Sequence, residues 1–276
     1  MTATLYVVAT PLGNLADLTP RAADVLRRVD VVAAEDTRRT RGLLQHLGAS
    51  PRLLSFHAHS PARRTAALLE ILAEGRDVAL VTDAGTPAVS DPGAELAAAA
   101  RAAGFAVVPI PGASAVTAAL SAAGVPAGRY LFLGFLPRKG AERARLLARA
   151  VREGWPVVFF EAPARLAALL RELAPLAEPG RCAVVARELT KLHEEFRAGS
   201  LAELADYYSE HEPRGEITVV LEGAGAPAPP EDRTEEARAR AEALLAAGAS
   251  RREAAREVAS ALGLSRNEAY RLVMEL

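Results

Sequence analysis

The segment Val78-Ala-Leu-Val-Thr-Asp-Ala-Gly-Thr-Pro-Ala-Val-Ser-Asp-Pro-Gly93 decides the fold class. Its first four residues are apolar without alternation, which suits a strand buried on both faces of a parallel sheet. The run then breaks into a loop of Gly, Pro, Asp and Ser before an Ala-rich helical pattern begins. Working outward, the same order recurs. Leu5–Ala9, Val31–Ala34 and Ala106–Ile110 are further short apolar runs, separated by amphipathic segments. Strand and helix patterns in alternation predict an α/β fold with a mostly parallel sheet. Thr19-Pro20 and Ser60-Pro61 read as an N-cap followed by proline at the first helical position, and Gly48, Gly75 and Gly104 sit where helices should stop.

A second series follows, with strands predicted at Tyr130–Leu133, Val157–Phe160, Ala183–Ala186 and Ile217–Leu221 and helices near Glu142–Glu153, Ala164–Leu173 and Leu201–Tyr207. Ser200-Leu-Ala-Glu203 is a capping box. The stretch GAGAPAPPED (Gly223–Asp232) has no periodicity and reads as a linker. Beyond it every pattern is helical, with capping boxes at Ser250-Arg-Arg-Glu253 and Ser265-Arg-Asn-Glu268. We therefore expect an N-terminal α/β domain over 1–115, a second over 116–224, a linker over 225–233 and a three-helix, helix-turn-helix-like module over 234–276.

With 276 residues, 50% of them hydrophobic and 24% charged, the chain has enough apolar surface for a core. A net charge of −1, from 33 Lys+Arg against 34 Asp+Glu, excludes a uniformly basic coat for nucleic acid. Any polyanion must meet clustered arginines. The single cysteine, Cys182, forms no internal disulfide, and Met1–Ala9 runs into a strand pattern without a basic leader region, so a cytoplasmic protein without a membrane segment is expected. Lys139 and Lys191 are the only lysines in a chain otherwise reliant on arginine.

Ligands of open parallel sheets sit outside the carboxyl ends of the strands. There the sequence places Thr10-Pro-Leu-Gly-Asn14, Glu35-Asp-Thr-Arg38, Thr82–Gly93 and Pro111-Gly-Ala-Ser114. None matches G-x-x-x-x-G-K-[ST] or G-x-G-x-x-G, which argues against a nucleoside triphosphatase or a dinucleotide enzyme. A nucleoside carrying an amino-acid carboxylate and a positive centre would need backbone hydrogen bonds, an acidic residue and apolar walls, and these loops offer all three. Asp83-Ala-Gly-Thr-Pro87 also suits an ordinary tight turn, and an N-cap serine explains Pro111–Ser114.

Together the segments VATPLGNLADLT (8–19), AEDTR (34–38), LVTDAGTPAVSDPG (80–93), PIPGASA (109–115), GFLPRK (134–139), FFEAP (159–163), ARELTKLHE (186–194) and RGEITVVLEG (214–223) resemble the tetrapyrrole-methylase superfamily of S-adenosylmethionine-dependent methyltransferases. Within it they are most similar to the branch that methylates a cytidine ribose of small-subunit (16S) ribosomal RNA at the 2′ oxygen. The resemblance implies S-adenosyl-L-methionine in a cleft between two α/β domains, a homodimer, and small-subunit RNA or the assembled small subunit as partner. It implies cofactor contacts from Asp83, Ala84, Gly85, Thr86, Ser114, Ala115, Leu136 and Ala186. It places Pro11, Gly13, Asn14, Arg38 and Arg187 on the substrate side. No metal site is implied. Similar proteins commonly carry a histidine where this chain has Ala164, and a different stretch where it reads His57-Ala-His-Ser-Pro61.

Methyl transfer to a hydroxyl needs alignment and removal of a proton. Alignment can contribute roughly 7–11 kcal/mol and a general base about 10²–10⁴ in rate, so positioning is the larger effect. Candidate bases are Lys191 first, then Asp36, with Glu35 and Glu188 behind them. Arginine does not lose its proton. Lys191 stands out as a rare lysine whose pKa Arg38 and Arg187 would depress by like charge. Basic residues cluster at Arg38-Arg-Thr-Arg41, at Arg63-Arg64 and along Arg138, Lys139, Arg143, Arg145, Arg149 and Arg152; the last group equally suits a solvated helix face, whereas phosphate contacts at Arg38–Arg41, directly after the candidate acids, would position RNA. From Thr234 onward seven Arg balance seven Glu, which limits phosphate affinity there. Two other readings stay open: a methylase of small tetrapyrrole-like molecules, and a ligand-sensing regulator that binds DNA through Arg256–Leu276.

Overall fold

The computed structural model describes residues 3–57, 62–224, 230–262, 266–274 and 276. The chain divides into two compact units, Met1–Ala224 and Gly225–Leu276. The first unit holds two five-stranded sheets. In its first half lie β1 (Thr4–Val8), α1 (Pro20–Arg28), β2 (Val31–Ala34), α2 (Thr37–His46), β3 (Arg52–Ser55), α3 (Ala62–Ala73), β4 (Val78–Val81), α4 (Ala94–Ala102), β5 (Ala106–Ile110) and α5 (Ala115–Ala122). The strand order is β3-β2-β4-β1-β5, with every pair parallel.

Side chains alternate across this sheet, so each central strand feeds two cores. Leu5, Val31, Val78 and Leu80 pack against Leu68 and Leu72 of α3 and Leu96 of α4. Val8, Val32, Ala79 and Val81 pack against Val25 and Leu26 of α1 and Leu43 and Leu44 of α2. Thr19 caps α1 by accepting from the Ala22 N–H, with Pro20 at the first helical position. Asp36 caps α2 by accepting from the Arg38 N–H.

The second half contains β6 (Leu131–Phe135), α6 (Ala141–Arg152), β7 (Val157–Glu161), α7 (Leu166–Leu173), β8 (Cys182–Arg187), β9 (Glu195–Ser200), α8 (Leu201–Glu210) and β10 (Ile217–Leu221). Its order is β6-β7-β10-β8-β9, and only β6–β7 is parallel. One face, carrying Val157, Phe159, Val185 and Val219, is covered by α6, α7 and α8. The other face, with Val158, Val184, Ala186 and Val220, packs on Leu12 and on Val116, Ala119 and Leu120 of α5. This shared apolar cluster joins the halves and fixes the cleft between their strand ends.

The second unit has α9 (Pro230–Ala246), α10 (Arg251–Leu262) and α11 (Arg266–Met274) around Ala237, Ala241, Ala254, Val258, Ala269 and Val273. Ser250 and Glu253 form the expected capping box at α10.

The structure corrects several expectations. Two strands, β3 and β9, were not predicted, and the second sheet is mixed rather than mostly parallel. Helix α9 begins at Pro230, so the end of the expected 225–233 linker is helical, while 225–229 lie outside the described residues. So do Ser60-Pro61, Ala58–Pro61 of the HAHSP stretch, and the Gly263–Ser265 turn with the start of the second C-terminal capping box. Arg143 is not on a solvated basic face. It is 6% exposed, bonded to Glu172 and to the Pro137 carbonyl. Among the described residues no helix is long and apolar enough to cross a membrane.

Candidate active site

The loops following β1 and β4 meet directly. The Thr10 N–H donates to the Gly85 carbonyl at 2.9 Å and the Gly85 N–H to the Thr10 carbonyl at 3.0 Å, while Thr10 Oγ1 donates to the Thr82 carbonyl at 3.1 Å. Gly85 is left-handed (φ +84), and a Cβ there would press on Leu12 at 3.3 Å. Thr86 Oγ1 donates to the Ala113 carbonyl at 3.2 Å, tying the loop to the turn before α5.

These loops and the strand ends of the second half enclose a cavity of about 390 Å³, within the roughly 300–1,000 Å³ usual for small-molecule sites. Asp83, Ala84, Gly85, Thr86, Ser114 and Ala115 line it on one side; Phe135, Phe160, Gly215, Glu216, Ile217 and Thr218 line the other. Leu12 and Val89 add apolar surface. Glu35, Asp83, Asp91 and Glu216 bring carboxylates to the wall, against the one guanidinium, that of Arg39, among the described residues lining it. Glu161 also borders the cavity, but its side chain is fully buried on the helical side of β7, paired with Arg165 at 3.2 Å.

The carboxylates differ in environment. Asp83 accepts the Asp36 N–H at 3.0 Å and lies 3.7 Å from Arg39. Burial raises its pKa, the Asp36 bond opposes this, and the Glu35 charge adds to the rise. Glu35 accepts the Thr82 hydroxyl at 2.7 Å. Burial, with the charges of Glu35, Asp83 and Glu216, pushes Asp91 up to about 6 against a lowering bond from Thr82.

Four non-glycine residues have left-handed backbone among those described: Ala88, Ser90, Glu188 and Thr190. They fall in two loops, and such conformations cost of order 1–3 kcal/mol each. The Thr86–Gly93 loop carries Asp91. The Glu188–Lys191 loop braces the opposite wall: Glu188 Oε1 accepts the Glu216 N–H at 2.9 Å and Lys191 Nζ at 2.8 Å. Lys191 also reaches Glu216 at 3.2 Å. Its aliphatic stem lies so close to Gly13 that a Cβ there would sit 2.2 Å from Lys191 Cγ, and the Asn14 N–H donates to Thr190 Oγ1 at 3.2 Å. The loop after β1 is thus clasped by the second half.

Of the residues expected at the cofactor, Asp83 to Thr86, Ser114 and Ala115 border the cavity. Leu136 does not, because its side chain is buried in the second-half core, and Ala186 is buried in the cluster joining the halves. Among the candidate bases only Glu35 borders it. The expected depression of Lys191 is reversed. Burial pulls its pKa down, but the bonds it donates to the Glu188 and Glu216 carboxylates, with their charges, outweigh that and the net shift is upward. Arg187, expected to repel it, is instead paired with Glu195 at 3.1 Å. Asp36 is lowered to about 2 by its bonds from Arg38, and Glu188 is lowered first by Lys191. Arg38 and Arg39 extend to solvent beside the cavity, their side chains 85% and 62% exposed. Pro11, Gly13 and Asn14 border the clasp to Lys191 rather than the cavity itself. Asp91 was missed as an individual residue: its Ser-Asp-Pro-Gly context reads locally as a turn.

Residues 4–205 match the model of the tetrapyrrole (corrin/porphyrin) methylases. The chain belongs to the tetrapyrrole (corrin/porphyrin) methylase family and, within it, to the group of ribosomal RNA small subunit methyltransferase I proteins. The protein of that name from Synechocystis sp. is 44% identical over 99% of this chain and 98% of its own length. The one from Pseudomonas aeruginosa is 43% identical over 99% and 97%. Among solved structures, a uroporphyrin-III C-methyltransferase from Thermus thermophilus is 25% identical, with a TM-score of 0.59, covering 79% of this chain and 94% of that one. A cobalt precorrin-4 methyltransferase shares the fold at a TM-score of 0.63 and 19% identity, covering 79% and 94%.

The cavity suits the methyl donor of such an enzyme. It is large enough for a nucleoside, and its excess of carboxylates matches a cationic sulfonium.

Proposed function

We propose that this chain transfers a methyl group from S-adenosyl-L-methionine to the 2′ oxygen of a cytidine ribose in small-subunit ribosomal RNA, acting as a cytoplasmic homodimer. The observation that carries this reading is similarity along 99% of the chain, including the C-terminal unit, to relatives bearing the ribosomal RNA name. The tetrapyrrole enzymes cover only 79% of it. That difference favours an RNA over a small tetrapyrrole as acceptor.

The cofactor, when bound, supplies an electrophilic methyl on sulfur. The chain's own residues supply placement. Asp83 to Thr86 and Ser114-Ala115 hold the donor against the first half, while the Gly215–Thr218 strand end and Phe160 close the cavity from the second. Arg38 and Arg39 at the rim position the phosphate backbone, contacts that orient an RNA without reading its sequence. Lys191, with its proton retained between Glu188 and Glu216, holds the Pro11–Asn14 loop.

The test is incubation of the protein and labelled S-adenosyl-L-methionine with small subunits from a strain lacking the gene. Label is expected in the ribose of one cytidine. Label confined to a base, or absent from the RNA, would reject the proposed activity.

A further inference from the structure

Asp91 is the least explained polar residue of the cavity. It sits half-buried on the wall, ten residues beyond β4. Behind it lies Thr82, whose side chain is buried at 3% exposure and whose hydroxyl donates its one proton to Glu35 Oε2 at 2.7 Å. Thr82 also adjoins Asp91, whose carboxylate form its hydroxyl favours. A hydroxyl has a single proton to give. The carboxylates of Glu35 and Asp91 therefore share one donor, which leaves Asp91, on the cavity wall, able to take up a proton.

The loop around Asp91 is fixed from both sides. Ser90, left-handed at φ 66, lies against Gly134 of β6, where an added Cβ would come within 2.7 Å of Ser90 Oγ. The β6–β7 register shifts between Phe132 and Gly134, and the left-handed Gly134 makes the gap that Ser90 fills. On the other side Gly93 (φ +135) closes against Leu80 of β4. Strain held by its surroundings at a cavity wall is a mark of a functional position.

Three of the bases expected from sequence are otherwise engaged. Lys191 keeps its proton between two carboxylates, Glu188 holds Lys191 and the Glu216 N–H, and Asp36 caps α2 beside Arg38. The charged groups facing Asp91 are Glu35 from the end of β2, Asp83 from the end of β4 and Glu216 from the approach to β10, with Arg39 of α2 on the same cavity wall.

We infer that Asp91 is the catalytic residue that accepts the proton of the hydroxyl receiving the methyl group, with Thr82 and Glu35 as positioning residues behind it. The inference rests on the function proposed above. In the step, the bond from the hydroxyl oxygen to the methyl carbon forms as the carbon–sulfur bond breaks. The electron pair of that bond stays on sulfur, and the hydroxyl proton passes to the Asp91 carboxylate and then to water. No further reactant is needed. Burial and the three neighbouring carboxylates set Asp91 near 6, so it is free to accept a proton at neutral pH and occupied below about 6.

The experiment is single-turnover methyl transfer to small subunits from the strain lacking the gene, between about pH 5 and pH 8, with S-adenosylhomocysteine binding measured on the same preparations. For the wild type we expect a rate that rises about tenfold per pH unit up to about 6 and then levels. Asp91→Asn should be slower by about 10²–10⁴, without that limb and with binding retained. Asp91→Glu should recover part of the rate, and Thr82→Val should displace the limb while leaving turnover measurable. Asp91→Asn with the wild-type rate, with the limb intact, or with binding lost in parallel with rate would overturn the assignment. A wild-type protein that labels no ribose would instead reject the function on which it rests.

Discussion

Replacing Arg165 with methionine is expected to lower the unfolding free energy by about 3–5 kcal/mol, because it leaves a buried carboxylate without its charge partner. The Glu161 side chain has no exposed surface. Its Oε1 takes Arg165 Nε at 3.2 Å and the Ala162 N–H at 2.8 Å, while Oε2 has no hydrogen-bond partner among the described residues. Arg165 also donates to the Leu136 carbonyl at 3.0 Å, which pins the turn after β6 next to the cavity. The double variant Arg165→Met/Glu161→Leu should recover most of the loss, since an apolar pair of similar volume escapes the desolvation that a lone charge suffers. Urea unfolding of the two variants and the wild type measures both effects. A single variant within about 1 kcal/mol of wild type would show that the pair does not hold this edge of the cleft.

Gly93→Ala should be nearly as damaging, at about 2–5 kcal/mol, from two additive causes. At φ +135 the backbone is strained for any L side chain, and the new Cβ would stand 2.5 Å from Leu80 Cδ2. Leu80 is fully buried in β4 and has nowhere to turn. Gly104→Ala separates the causes. Gly104 is also left-handed (φ +83), but nothing among the described residues lies within 4 Å of its added Cβ, so only the backbone cost of about 1–2 kcal/mol remains. Equal losses at the two sites would mean that the Asp91 loop does not press on the sheet.

The first half of the fold could be read from sequence because its central strands are buried on both faces and therefore uniformly apolar. Val31–Ala34 and Val78–Val81 carry that signature and are fully buried. Arg52–Ser55 and Glu195–Ser200 do not. Both are edge strands with mixed side chains, hydrogen-bonded to a sheet neighbour on one side only. The antiparallel character of the second sheet was hidden for a related reason: alternation of strand and helix does not reveal that β8 and β9 form a hairpin or that β10 inserts between β7 and β8.

At the site, loop position was legible and proton affinity was not. Asp83 to Thr86 and Ser114-Ala115 reach the cavity because they follow strands whose direction the pattern had given. The charge state of Lys191 depends on Glu216, which lies 25 residues away in sequence, and on an Arg187 that turns to Glu195 instead. Leu136 and Ala186 follow strand and loop positions correctly, but their side chains point into apolar clusters. Asp91 reads as a turn former until the fold buries it beside Thr82.

The most direct test of the account is a map of ribose methylation in small-subunit ribosomal RNA, taken from cells with the gene, without it, and with it restored. One 2′-O-methylcytidine is expected to disappear with the gene and return with the wild-type copy. A map unchanged at every ribose would contradict the central claim that this cavity delivers a methyl group to that RNA.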